Sequence, residues 1–129
     1  MSEMNVIVNE FVEEGTEKVH QLERQLLQLE KNPASRDVLV ELFRTLHTIK
    51  GATSFLGFTK LCGLAHDGEK LLARLRDGGL ACSPQIVNAL LSLVDAIREI
   101  LSEISATGKE GAKDYADLAK TLVSLQKNR

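Results

Sequence analysis

Hydrophobic residues recur at intervals of three and four along nearly the whole chain, a spacing that is typical of amphipathic helices. The pattern predicts a long first helix over about residues 5–31 and a second helix over about residues 35–55. A third helix is expected over about residues 59–75 and a fourth over about residues 83–105. A fifth, shorter helix is expected over about residues 112–127. No stretch alternates for long enough to predict a β-strand.

Residues that favour helix ends stand at the predicted boundaries. Ser35 can cap the second helix, because its side-chain oxygen can accept a hydrogen bond from a free N–H of the first turn. Gly57 suits the C-terminus of that helix, and Thr59 suits the N-cap of the third. Ser83 followed by Pro84 forms an N-cap with proline at the first helical position.

Short connections join the four long helices, so consecutive helices are expected to lie antiparallel. The predicted fold is therefore all-α: an antiparallel up-down four-helix bundle over about residues 5–105 with an additional short C-terminal helix. The chain has 129 residues, a length typical of one domain with a sizeable core. We interpret residues 1–129 as a single domain.

Composition and charge exclude several classes of function. A net charge of −2 and the absence of Trp argue against a nucleic-acid-binding surface. No apolar run approaches the roughly 20 residues that a bilayer-spanning helix needs, and the N-terminus does not resemble a signal peptide. We therefore expect no membrane association. Cys62 and Cys82 form no CxxC pair, so reduced thiols and a cytoplasmic location are expected.

Five residues that could form a functional site fall on two neighbouring helices. His47, Lys50 and Gly51 are spaced i, i+3 and i+4 and share one face of the second helix. His66 and Glu69 are spaced i, i+3 on the third helix. If the two helices fold back near the turn between them, both sets lie about 14–18 Å from that turn at 1.5 Å per residue. The sequence therefore predicts a cluster of these side chains at one height of a helical hairpin.

Such a cluster is suited to phosphoryl chemistry. A neutral imidazole nitrogen is a good nucleophile, and a carboxylate bonded to the other ring nitrogen fixes the tautomer. An ammonium group one turn away offsets the charge of a phosphoryl group. Gly51 removes side-chain bulk beside the ring, at a cost to the helix of about 1 kcal/mol relative to alanine.

Two segments carry a family resemblance. "LFRTLHTIKGATSFLGF" (42–58) followed by "LAHDGEKLLARLRDG" (64–78) resembles the histidine phosphotransfer domain at the N-terminus of chemotaxis-type histidine kinases. The first segment matches an H-[ST]-[IL]-K-G core, and the second matches an H-x-x-E helix with a closing R-x-G. The resemblance covers most of residues 5–105 and implies the same helical bundle.

The resemblance implies a role for each residue of the cluster. His47 is the implied phosphoacceptor, and Glu69 is the implied hydrogen-bond partner of its non-attacking ring nitrogen. Lys50 and His66 are expected to complete the network, and Gly51 to clear the approach. Gly68 departs from the usual pattern, because a bulkier residue is expected there within a helix.

The resemblance also implies partners. The phosphoryl group is expected to come from ATP through a histidine kinase ATP-binding domain and to pass to an aspartate on the receiver domain of a response regulator. This chain shows no glycine-rich nucleotide loop, so ATP and Mg²⁺ are expected on the partner domains and no cofactor on this chain. By itself the chain is expected to be a carrier, not an enzyme, a fragment of a histidine protein kinase, and a monomer.

Two alternatives from other functional classes stay open on sequence grounds. Glu17 and His20 form one E-x-x-H pair of the kind used in di-iron bundles, and Cys62 and His66 could hold a soft metal. The second alternative is a helical bundle that only docks a partner without phosphotransfer. Metal content of the purified protein tests the first, and acid-labile, base-stable phosphate tests the second.

Overall fold

The computed structural model describes the backbone of residues 3–127 and the side chains from residue 5 onward. These residues form five α-helices: α1 (Glu3–Lys31), α2 (Arg36–Leu56), α3 (Thr59–Arg76), α4 (Pro84–Thr107) and α5 (Ala116–Gln126). No strand occurs between residues 3 and 127, so the predicted all-α class is confirmed. Within the same range, none of the helices is long and apolar enough to cross a membrane.

The four long helices form the expected up-down bundle. α1 packs against α2 and α4, α2 packs most extensively against α3, and α3 also contacts α4. Because the connections are short, consecutive helices run antiparallel. α5 lies outside this ring of four and packs against α3 and α4.

One hydrophobic core runs through the bundle, and every helix contributes to it. Leu26 of α1, Leu42 of α2, Leu71 of α3 and Ile97 of α4 are each at most 1% exposed. Leu122 of α5 is completely buried, so the fifth helix is part of the packed structure. Burial of these apolar side chains supplies most of the driving force for folding.

Three of the predicted helix-end residues act as expected. The Ser35 hydroxyl accepts a hydrogen bond from the backbone N–H of Val38, and the Ser83 hydroxyl accepts one from Ile86, each at 3.3 Å. Gly57 ends α2 in the left-handed conformation with φ of 81°, which glycine adopts without steric cost. The boundaries of α2 and α4 therefore follow from local sequence signals.

The prediction that Thr59 caps the third helix is wrong. Thr59 is already helical, and Phe58, which has no side-chain hydrogen-bonding group, occupies the N-cap position. The Glu110 carboxylate from the α4–α5 loop accepts hydrogen bonds from the backbone N–H groups of Lys60 and Leu61, at 3.3 and 2.6 Å. Glu110, which is distant in sequence, therefore caps α3 in place of a neighbouring side chain.

The fifth helix is shorter than its hydrophobic pattern predicts. It begins at Ala116, and Tyr115 precedes it in a left-handed conformation with φ of 54°. The Tyr115 hydroxyl donates a hydrogen bond to Glu99 Oε1 of α4 at 2.8 Å. At the other end, Gln126 Nε2 donates to the backbone carbonyl of Asp67 on α3 at 3.1 Å. Both ends of α5 are therefore bound to the bundle.

Candidate functional site

His47 and Lys50 lie on α2 where the buried face of the helix meets its exposed face. Leu46 and Ile49, each immediately before one of these residues, are buried in the core at 1% and 2% exposure. At 100° per residue, their successors lie at the border between the buried and the exposed face. The His47 side chain is accordingly 61% exposed and that of Lys50 24% exposed.

Glu69 extends from α3 to the same border between the buried and exposed faces of α2. Among the described residues, it is the one charged residue that is buried. Its side chain is 8% exposed. Oε1 contacts His47 Nδ1 through a short hydrogen bond, and Oε2 lies 2.6 Å from Lys50 Nζ. Beyond that ion pair, Oε2 has no hydrogen-bond partner in the described part of the chain. The structure thus brings His47, Lys50 and Glu69 together across the α2–α3 seam.

The surroundings of Glu69 keep it ionised. Burial raises the pKa of the Glu69 carboxyl, but hydrogen bonds from Lys50 and His47, together with their charges, outweigh burial and leave the pKa below its ordinary value. An ionised carboxylate is an acceptor only, so the proton on His47 is held at Nδ1. Among the side chains that the structure describes, residues 5–127, none is hydrogen-bonded to His47 Nε2. This nitrogen is the one that an incoming group can reach.

Gly51 opens the space beside the ring. A β-carbon built at Gly51 would meet nothing within 4 Å, and the residue is exposed. A surface cleft of about 640 Å³ lies here between α2 and α3, lined by Lys50, Gly51, Thr53, Ser54, Gly57, Thr59, Cys62, Gly63 and His66. The absence of a side chain at Gly51 therefore leaves the cleft wide next to the ion pair.

The structure does not join His66 to the expected network. His66 is exposed on α3 and lines the cleft, but within the described residues it makes no hydrogen bond to His47, Lys50 or Glu69. Its position i, i+3 from Glu69 is close on the helix, yet the Glu69 carboxylate points towards α2 instead. Shared height on a hairpin therefore does not by itself produce contact.

Phe43 is a neighbour of the site that does not belong to the predicted cluster. It lies one turn before His47, and the two rings stack with centroids 6.0 Å apart and an interplanar angle of 8°. The Arg76 guanidinium lies over the Phe43 ring at 4.5 Å from its centroid. The i, i+4 spacing of Phe43 and His47 is the sequence signal that points to this contact.

The residues of the metal alternative are not assembled. His20 pairs with Glu23, at 3.6 Å between Nδ1 and Oε1. Cys62 is a partly buried free thiol on the cleft that His66 also lines. Among the described side chains of residues 5–127, no three His, Cys, Asp or Glu groups come close enough together to hold a metal ion.

Comparison with known families decides the class of the protein. The Hpt domain model matches residues 6–103, which is most of the chain and includes all five predicted site residues. This chain belongs to the Hpt domain family. The sensor histidine kinase CheAY of Helicobacter pylori is 36% identical over 110 residues, covering 85% of this chain and 14% of that protein. This chain spans about one seventh of that relative.

Solved structures show the same fold. The phosphorylated P1 domain of CheA3 in complex with CheY6 from R. sphaeroides superposes with a TM-score of 0.83 at 28% identity, covering 93% of this chain and 94% of that one. The CheA phosphotransferase domain of Thermotoga maritima gives a TM-score of 0.77 at 32% identity, covering 81% and 98%. The helical-bundle architecture is thus shared with phosphotransfer domains of chemotaxis kinases.

Proposed function

We propose that this Hpt domain carries phosphoryl groups on His47, taking them from ATP bound to a histidine kinase domain and passing them to an aspartate on a response regulator. The single observation that carries the proposal is the arrangement of the His47 ring. One ring nitrogen is bonded to a buried carboxylate, and the other faces solvent on a side chain that is 61% exposed.

The proposed chemistry is a nucleophilic displacement at phosphorus. The lone pair of His47 Nε2 forms the N–P bond as the bond between the γ-phosphorus and its bridging oxygen breaks and ADP leaves with that electron pair. The proton on Nδ1 stays in the hydrogen bond to Glu69, which stabilises the positive charge that develops on the ring. Lys50, one turn from His47, lies where its ammonium can offset the phosphoryl charge.

The reverse displacement delivers the group to the response regulator. A receiver-domain aspartate attacks the phosphorus, the N–P bond breaks, and the electron pair returns to Nε2. Gly51 and the open cleft beside it leave room for each partner to approach. In this proposal His66 borders the approach and has no direct bond to the ring.

The partners supply what this chain is not proposed to hold. ATP and Mg²⁺ belong to the kinase domain, the acceptor aspartate belongs to the receiver domain, and this chain contributes no cofactor. We place the domain in the cytoplasm, where ATP is available, as part of a longer histidine kinase that acts in chemotaxis-like signalling. As an isolated domain it is proposed to be a monomer, and its partners include neither nucleic acid nor membrane.

Phosphate transfer to three single variants tests the proposal, because the chain has only three histidines. The wild type and the His47→Gln, His66→Gln and His20→Gln variants are incubated with γ-labelled ATP and the ATP-binding domain of a chemotaxis kinase. The wild type should acquire acid-labile, base-stable phosphate. His47→Gln should fold with the same circular dichroism and acquire none.

The other two variants are matched controls, since His20 and His66 are also exposed histidines on helices. Both should still be labelled, and both should release the label to a receiver domain. Full labelling of His47→Gln, or loss of label only in His20→Gln or His66→Gln, contradicts His47 as the acceptor.

A further inference from the structure

The His47 ring is held by two different groups, and only one of them is the carboxylate described above. The second is Phe43, whose ring is nearly parallel to the imidazole, at 8°, with centroids 6.0 Å apart. Phe43 is partly buried and packs against the core, whereas His47 is mostly exposed. A ring that is itself anchored in the bundle therefore lies parallel to, and beside, an otherwise exposed imidazole.

Phe43 is in turn contacted from α3. The Arg76 guanidinium carbon lies 4.5 Å from the centre of the Phe43 ring, within the range of a cation–π interaction. Arg76 is oriented by Asp77, because its Nε donates to Oδ1 at 2.9 Å and its second guanidinium arm donates to Oδ2 at 3.3 Å. The last turn of α3 thus holds an aromatic side chain of α2 in place.

A hydrogen bond to Nδ1 alone leaves the imidazole free to rock about that bond. An exposed side chain on a helix changes rotamer on a picosecond to nanosecond scale unless packing restrains it. A parallel Phe43 ring beside the imidazole restricts that freedom, since rocking on this side brings the imidazole towards the phenyl group. Errors of about 1 Å in the position of a reacting group can lower a rate by roughly 100-fold.

We infer that Phe43, braced by Arg76, is a positioning residue that fixes the plane of the His47 ring and so the direction in which Nε2 points. This inference rests on the proposed phosphoacceptor role of His47. Phe43 of α2, contacted by Arg76 of α3, adds a second restraint on the ring to the one that Glu69 supplies. One restraint selects the tautomer and the other selects the ring orientation.

Three variants test the inference through the rate of phosphorylation by a small-molecule phosphoramidate, which needs no protein partner. Phe43→Leu keeps an apolar side chain but removes the flat ring, and it should slow phosphorylation roughly tenfold. Phe43→Tyr keeps the ring and should restore the rate. Phe11→Leu is the matched control, because Phe11 also stacks on an aromatic ring, that of Phe58, but in the core. It should lose at least as much stability as Phe43→Leu and still keep the wild-type rate.

NMR relaxation of the histidine rings supplies a readout of ring motion that general loosening of the fold does not reproduce. In the wild type, the His47 ring should have a higher order parameter than the exposed rings of His20 and His66, because Phe43 restrains it. In Phe43→Leu and in Arg76→Gln the His47 order parameter should fall towards that of His20 and His66, and in Phe11→Leu it should not.

The two arms separate failure of the inference from failure of the proposed function. If Phe43→Leu reacts at the wild-type rate and the order parameter of its His47 ring is unchanged, Phe43 is not a positioning residue, although His47 remains the acceptor. If the wild type takes up no phosphate from the phosphoramidate or from the kinase domain, the proposed function is wrong. In that case the NMR comparison still decides whether Phe43 orders the ring.

Discussion

Gly68 of α3 fits against Leu93 of α4 so closely that a side chain cannot be added there without displacement. A β-carbon at this position would overlap Leu93 Cδ2 and would also stand 2.9 Å from Leu46 Cδ2 of α2. Both leucines are at most 2% exposed, so neither can move freely. The glycine that departs from the family pattern therefore lets three helices approach each other next to Glu69, whose carboxylate still reaches α2.

Gly68→Ala is expected to destabilise the protein although alanine is the better helix former. Overpacking of a dense core costs about 1–3 kcal/mol, and the gain in helix propensity offsets only about 1 kcal/mol. Urea unfolding measures the difference. Gly63→Ala is the matched control on the same helix, because a β-carbon there meets nothing within 4 Å, and it should stabilise by about 0.5–1 kcal/mol. Equal stabilisation by both substitutions would show that the Gly68 contact is not tight.

Glu69 should make stability depend on pH in the acidic range. Its pKa in the folded protein lies below the ordinary value of 4.5, so the ionised carboxyl stabilises the fold at pH values above 4.5. This contribution is lost as the pH falls through the lower, folded-state pKa. At neutral pH, Glu69→Gln should cost about 1–3 kcal/mol, since two charge-assisted contacts are weakened.

The measurement is the free energy of unfolding of the wild type and of Glu69→Gln at a series of pH values. The difference between the two should be constant near neutrality and should shrink as the pH falls below 4.5 and through the lower, folded-state pKa of Glu69. Other carboxyl groups titrate in this range but are common to both proteins, so they cancel in the difference. A difference that grows on acidification would mean that Glu69 has a raised pKa in the folded state.

Glu110 should stabilise α3, although the start of that helix is distant from it in sequence. Its carboxylate accepts hydrogen bonds from two free N–H groups at the start of α3, and its negative charge interacts favourably with the positive end of the helix. Glu110→Ala should lower the free energy of unfolding by about 1–2 kcal/mol. Lys109→Ala, an exposed neighbour in the same loop, should change it by less than about 0.5 kcal/mol. If the two variants are equally stable, α3 does not depend on this cap.

Tyr115 should titrate far above an ordinary tyrosine. Partial burial and the hydrogen bond to Glu99 raise the pKa of Tyr115 to about 12. The chain has a single tyrosine, so the absorbance of tyrosinate reports this group alone. Glu99→Gln should lower the midpoint towards the ordinary value of 10.0 without reaching it, because burial is the larger cause. An ordinary midpoint in the wild type would show that α5 is not docked on α4 in solution.

Local signals were sufficient for much of this fold. The 3.6-residue period, Ser35, Ser83 and Gly57 predict the helices and most of their ends, because capping and amphipathicity depend on residues within a few positions. The same local geometry places Lys50 and Gly51 on the face of His47. Short loops fix the direction and height of the next helix, so His47 and Glu69 were expected at one level of the hairpin, and the family resemblance implied that the two residues pair.

The sequence by itself therefore determined the helices, their antiparallel order and which side chains share a face, since these follow from periodicity and connection length. Only the tertiary structure decided that Phe43 stacks on His47 under Arg76, that Glu110 caps α3, and that His66 stays outside the ion-pair network. These outcomes depend on how each helix is rotated about its axis. At Gly68 the helices pack so closely that there is no room for one added carbon atom. That rotation is set by simultaneous packing of the whole core, which no short stretch of sequence encodes.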